Sequence, residues 1–254
     1  MNIGPLIDDL CLLGGCYRRD LVDQAVLRQE EVVPHLLEIL RTVLTDPLVY
    51  AGDPGFFGHH YAVTLLGHFR EERAHRLIVD IFSLPEDLPY RLFGDIVTED
   101  LPGLLLNTCG GRFATIQNLV NDSAADAFGR AAALRAMTFG VVTGELERAG
   151  VVDVMRAILA RRPPETTALL LNEAACSLLD LYPIESMDVI RQAFDEDILQ
   201  ADWVSVDAFR QQLQVGLERS LEGLAAEWRR RNPADVHGRM ARLACFDLEE
   251  RCAW

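Results

Sequence analysis

Apolar residues recur along almost the whole chain at spacings of three and four, the repeat of a helix with one buried face. Val33, Leu36, Leu37, Leu40 and Leu44 make one such stripe, and Leu77, Ile78, Ile81 and Phe82 make another. The longest runs through Phe209, Leu213, Leu217, Leu221, Leu224 and Trp228. Ser205 is placed to cap that last helix and Asn232-Pro233 to end it. Alternating patterns bounded by hairpin turns are scarce, and Asp53-Pro54-Gly55 leads into a helical segment rather than a second strand. The pattern predicts an all-α protein.

The helices read as pairs. Tyr61–Leu66 is followed by Leu77–Phe82, Asp100–Leu105 by Ile116–Val120, Arg130–Met137 by Val151–Leu159, and Glu173–Leu179 by Met187–Phe194. Aligning Ala62, Leu101, Ala132 and Ala174 gives steps of 39, 31 and 42 residues, the span of two-helix repeats of the HEAT and armadillo type. One hairpin of this kind cannot bury its own apolar face, and stacking closes the core. The expected architecture is therefore a HEAT/armadillo-like α-solenoid forming one domain over 1–254. About five helix pairs would span 17–195, the first being Asp20–Gln29 with Glu31–Leu44. A capping helix would lie within 1–14, and one long helix would cover 203–231.

Several segments, taken in order, resemble the bacterial domain-of-unknown-function family 1186. They are His60-Tyr61-Ala62 with Leu65-Leu66 and Phe69-Arg70-Glu71, then Gly94-Asp95-Ile96-Val97-Thr98-Glu99. Arg130 to Ala136, Asp180-Leu181-Tyr182-Pro183 and Ala244-Cys245-Phe246 continue the series. The resemblance spans most of the chain and implies HEAT-type helical repeats, with no activity attached. Many relatives carry a cysteine-rich zinc tail of the SEC-C type. This chain stops at Cys252-Ala253-Trp254 with no such cluster, so neither zinc nor that tail's adaptor role is expected.

Composition narrows the chemistry. All 24 cationic residues are arginine, set against 39 acidic ones, for a net charge of −15. Without lysine there is no Schiff base and no phosphate-loop GKT or GKS. The acidic balance makes nucleic acid an unlikely partner, because that binding depends on cations displacing counterions from phosphates. Arg135 interrupts the apolar run Ala131–Val142, and Glu173 and Asp180 interrupt Leu169–Leu181. No window reaches the roughly 20 apolar residues of a membrane span. With no signal-like N-terminus, the expected location is cytoplasmic.

Catalytic motifs are missing. GxSxG and HExxH do not occur, Gly14-Gly15 and Gly110-Gly111 read as helix stops, and the six cysteines lack metal or redox spacing. His59, His60, His68 and His75 fall within one hairpin and read as surface or helix-end histidines, because His60 and His68 stand about 12 Å apart along a helix. No cofactor and no metal are expected. Trp228, Phe246 and Trp254 could together form a docking or dimer surface.

Two positions before the aligned apolar residues of the second, third and fourth pairs stand Glu99, Arg130 and Asn172, with His60 at the matching place in the first. In a stack these four would form a row able to hold a ligand. Second helices line the inner face of HEAT-like stacks, which nominates Arg73, Arg76, Asp80, Arg112, Gln117, Arg156 and Arg191 as groove contacts. The leading expectation is a non-enzymatic scaffold for a protein or peptide. The alternative is a metal- or small-ligand-dependent enzyme around His60, Glu99 and Arg130.

Overall fold

A computed structural model describes residues 3–12, 17–162, 166–199 and 203–240. Among the described residues the structure is helical, without strands; the one extended pairing is an isolated antiparallel bridge between Leu12 and Phe56. Contacts divide the chain into two compact units. The first comprises 1–110 with 232–254, and the second comprises 111–231.

The first unit begins with α1 (Gly4–Cys11), α2 (Arg19–Leu27) and α3 (Gln29–Thr45). The chain turns from α2 to α3 through Arg28 alone, whose N–H bonds back to the Gln24 and Ala25 carbonyls. Then come α4 (Pro47–Ala51), α5 (Gly58–His68), α6 (His75–Phe82), α7 (Leu88–Phe93), α8 (Ile96–Glu99) and α9 (Leu101–Cys109). Every residue of α5 from Tyr61 to Gly67 is buried, as befits a helix covered on all sides. It packs on α3 and α9. A Cβ on Gly67 would stand 2.3 Å from Leu104 Cδ2, so α9 approaches this closely only over a glycine.

The second unit holds α10 (Phe113–Asn121), α11 (Ala127–Val142), α12 (Arg148–Arg161), α13 (Ala168–Asp180), α14 (Met187–Asp195), α15 (Val206–Val215) and α16 (Leu217–Arg231). Three of its helix starts carry side-chain caps: Asp126 accepts from the Phe128 and Gly129 N–H groups, Thr167 from Leu170, and Ser205 from Ala208. The central helix is α11, which packs on α10, α12, α13 and α16; α12 packs on both α13 and α14. Finally α17 (Val236–Met240) returns to the first unit and packs on α5.

Helices stand where the paired pattern places them, and the aligned residues Ala62, Leu101, Ala132 and Ala174 are all buried. The expected single helix over 203–231 is instead two. Gly216 adopts φ +89°, outside helical space, and separates α15 from α16. The apolar spacing runs unbroken through this point, but the backbone does not, and Leu217 is left exposed.

Candidate functional site

In the first unit the histidine-rich hairpin is a packing feature. His59 and His75 stand in the first turns of α5 and α6, at helix ends as expected, but both are buried, which corrects the alternative of surface positions. His59 Nε2 donates to the Leu92 carbonyl at 2.6 Å, leaving Nδ1 as the lone-pair nitrogen, buried and without a partner. His60 stacks on Phe57 with ring centroids 4.0 Å apart and lies 4.2 Å from the His59 ring. Burial lowers the His59 pKa to about 4 and holds His60 well below the ordinary imidazole value, so both are neutral at neutral pH. The Thr108 hydroxyl donates to the Leu104 carbonyl and accepts from His75 Nδ1 at 3.1 Å. Among the described residues no group of three or more His, Cys, Asp or Glu side chains is arranged to hold a metal.

The four residues of the aligned row have unlike settings. His60 lies in the first turn of α5 within its aromatic enclosure, whereas Glu99 is exposed as the last residue of α8, outside α9. Arg130 and Asn172 belong to the second unit, in α11 and α13, and both are buried. Asn172 is fully inaccessible, so it is no ligand contact in this conformation.

Arg130 lines a cleft of about 300 Å³ in the second unit. Its Nε donates to the Val120 carbonyl at 3.1 Å, in the last turn of α10, where a cation complements the negative end of the helix. Arg161, in the last turn of α12, is a second cation on the cleft wall. Gln117, Asn121, Ser123 and Thr166 add neutral polar groups, while Val154, Ala157, Ile158 and Leu170 supply an apolar side. No carboxylate belongs to the lining among the described residues. Of the nominated groove residues, Gln117 thus reaches a concave site.

Several of the other nominated cations are engaged in ion pairs. Arg73 bonds to Glu71, Arg76 to Asp80, and Arg156 crosses from α12 to Asp188 on α14. Arg112 and Arg191 are exposed.

A charge cluster in the second unit escaped sequence reasoning. Arg135 contacts Asp180 at 2.5 Å and Glu227 at 2.6 Å, with Glu173 at 4.0 Å. Arg231 meets the other oxygen of Glu227 at 2.9 Å, and the Arg135 guanidinium lies 4.9 Å from the Phe139 ring centroid. Burial pushes Glu173 up to about 7 despite Arg135 beside it, and also raises Asp180. The signal was present: Glu173 and Asp180 are seven residues apart, two turns of one helix face, and both interrupt an apolar run, as Arg135 does. Nearby Cys176 is pushed up to about 12 by burial and by Glu173, and in the first unit Cys11 to about 11 by burial and Asp8. Neither is an activated thiol.

The first unit holds one further constellation. His237 Nε2 lies 2.9 Å from Asp23 Oδ1, and its Nδ1 lies 2.5 Å from the Tyr17 hydroxyl. Trp228 packs against Phe139 at 5.3 Å, whereas Cys16, Cys245, Phe246, Cys252 and Trp254 lie outside the described residues.

Among known proteins, this chain is similar to one from Chlamydia muridarum and one from Chlamydia trachomatis serovar D, both described as uncharacterized. Each is 28% identical over 207 residues, covering 82% of this chain and 83% and 82% of the respective relatives. No solved structure gives a significant match. None of the described helices is long and apolar enough to cross a membrane. The family model described as "Protein of unknown function (DUF1186)" matches residues 1–247, and the chain belongs to that family.

Proposed function

We propose that this protein is a helical-repeat scaffold of the HEAT type that binds a protein or peptide along its second helices, rather than an enzyme. One observation carries the reading: in the second unit α11 packs on α13 and α12 packs on α14, first helix on first and second on second. Successive hairpins of a repeat stack meet in this way, and such stacks use one helix layer as an extended contact surface. Arg156 on α12 bonds across to Asp188 on α14, and the exposed Arg191 follows Asp188 by three residues, about one turn along α14. The single-domain solenoid over 1–254 and a cytoplasmic setting are parts of this reading. The charge of −15 favours a partner with basic segments, taken up beside locally placed arginines. The neutral, ring-enclosed state of His60 favours a scaffold over an enzyme built on His60, Glu99 and Arg130.

The test is affinity capture from the native bacterium with quantitative mass spectrometry, comparing the wild type with an Arg156→Glu, Arg191→Glu double variant. A partner enriched by the wild type and lost with the double variant supports the reading. A protein that captures nothing reproducibly, or captures the same set with both forms, opposes it.

A further inference from the structure

Packing explains the rings of His59 and His60, but it leaves two of their nitrogens without a purpose. His59 Nδ1 and His60 Nδ1 are both buried with no hydrogen-bond partner. Each bears the full desolvation penalty of a polar atom, and a phenylalanine at either place would fill the same aromatic enclosure without it. The His59 proton sits on Nε2, fixed by the Leu92 carbonyl, so its Nδ1 holds a lone pair. His60 is neutral as well, and with its proton on Nε2 it offers a second lone pair on the adjoining residue. The two rings are 4.2 Å apart at an angle of 52°, close enough for both Nδ1 atoms to reach one ion at about 2 Å each.

We propose that His59 and His60 hold a single copper(I) ion between their Nδ1 atoms. Ligand number selects the metal. Among the described residues no third His, Cys, Asp or Glu side chain groups with the pair, whereas zinc and iron sites take three or more protein ligands. Copper(I), with a filled d shell and a single charge, is satisfied by two imidazoles. Phe56, Phe57 and Phe93 pack around the pair, and such rings keep water out and attract a cation through their π faces. A dry apolar shell also favours the lower oxidation state of copper. Both imidazoles are neutral at neutral pH, so the ion has no proton to displace. His60 is half-buried and gives the ion a way in from the surface. The site lies in the first unit and is independent of the scaffold reading.

The experiment adds copper(I), as its acetonitrile complex without oxygen, to the full-length reduced protein carrying isotope-labelled histidines. Cysteine thiols also take up copper(I), so the readout is the ring nitrogens by NMR rather than the total metal bound. The Nδ1 resonances of His59 and His60 are expected to shift together and to saturate at the same copper concentration, and zinc(II) is expected to leave them in place. His60→Phe keeps the enclosure filled with a ring, removes one ligand, and is expected to abolish the saturable shift of His59. Four results would overturn the proposal: His59 and His60 unmoved by copper(I), like shifts in all six histidines, the same response to zinc(II), or a His59 shift that persists in His60→Phe. The wild-type titrations with the two metals decide the matter even if the variant does not fold.

Discussion

Arg135 and Asp180 are 45 residues apart in the chain, yet their side chains meet at 2.5 Å and join α11 to α13. Glu227 of α16 takes the other side of the same guanidinium, so one arginine ties three helices of the second unit together. Burial alone would lower the Arg135 pKa, but the carboxylates of Asp180, Glu173 and Glu227 together raise it, and the charge is held firmly. Both residues fall in segments that carry the family resemblance. Their pairing gives those segments a structural meaning, the junction of α11 with α13.

Removing this cation leaves half-buried carboxylates facing one another. Arg135→Met is expected to lower the unfolding free energy by about 3–5 kcal/mol, as for other broken buried pairs. Chemical denaturation measures it. Adding Asp180→Asn should restore part of the loss, with a coupling of roughly 1–3 kcal/mol between the two sites. Strict additivity would mean that the pair does not act as a unit.

Glu173 gives the second unit a pH dependence of definite sign. Its carboxyl is raised from the ordinary 4.5 to about 7 in the folded protein, so the folded state binds the proton more tightly than the unfolded chain. Its contribution favours folding at low pH and is lost progressively as pH rises from about 4.5 to about 7, by roughly 1–3 kcal/mol in total. Glu173→Gln, which mimics the protonated form, should flatten stability across this window. Denaturant midpoints at several pH values check this; an unchanged slope would remove Glu173 as its source.

The Tyr17 hydroxyl, donated to His237 Nδ1, links the start of the chain to α17 across 220 residues. Asp23 receives the proton on Nε2 and so holds the ring in the tautomer that can accept from the phenol. Tyr17→Phe is expected to cost about 1 kcal/mol, the usual net value of one such bond. Amide hydrogen exchange should quicken in α2 and α17 and stay unchanged in α11.

Gly67 fixes the approach of α9 to α5. An alanine there would press its Cβ to within 2.3 Å of Leu104 Cδ2. Gly67→Ala should destabilise the first unit by about 1–3 kcal/mol despite alanine's better helix propensity. Adding Leu104→Ala should relieve the clash and recover part of the thermal stability.

The helical class and the positions of the main helices were legible because burying one face imposes a local spacing of three and four residues. Ala62, Leu101, Ala132 and Ala174 could be aligned for the same reason, and all four are buried. The break at Gly216 was not legible, because a stripe such as Phe209 to Trp228 looks the same whether or not one backbone angle between them is positive. Side-chain settings were legible only in part. The alignment singled out Arg130, but the cleft it lines with Arg161 depends on the packing of α12, which leaves no mark on local spacing. His60 and Glu99 occupied matching places in the pattern yet entered an aromatic enclosure and an exposed helix end. Tyr17 and His237 were beyond any local signal, being held together by the return of α17 to the first unit.

The scaffold reading rests on the second helices being the contact surface, and site-specific photo-crosslinking in the native bacterium tests that most directly. A photoreactive residue would replace Arg156 or Arg191 on the second helices, or Ala168, exposed on a first helix, as the comparison. The account predicts one discrete crosslinked partner from positions 156 and 191 and none from 168. Equal crosslinking from all three positions, or none from 156 and 191, would contradict it.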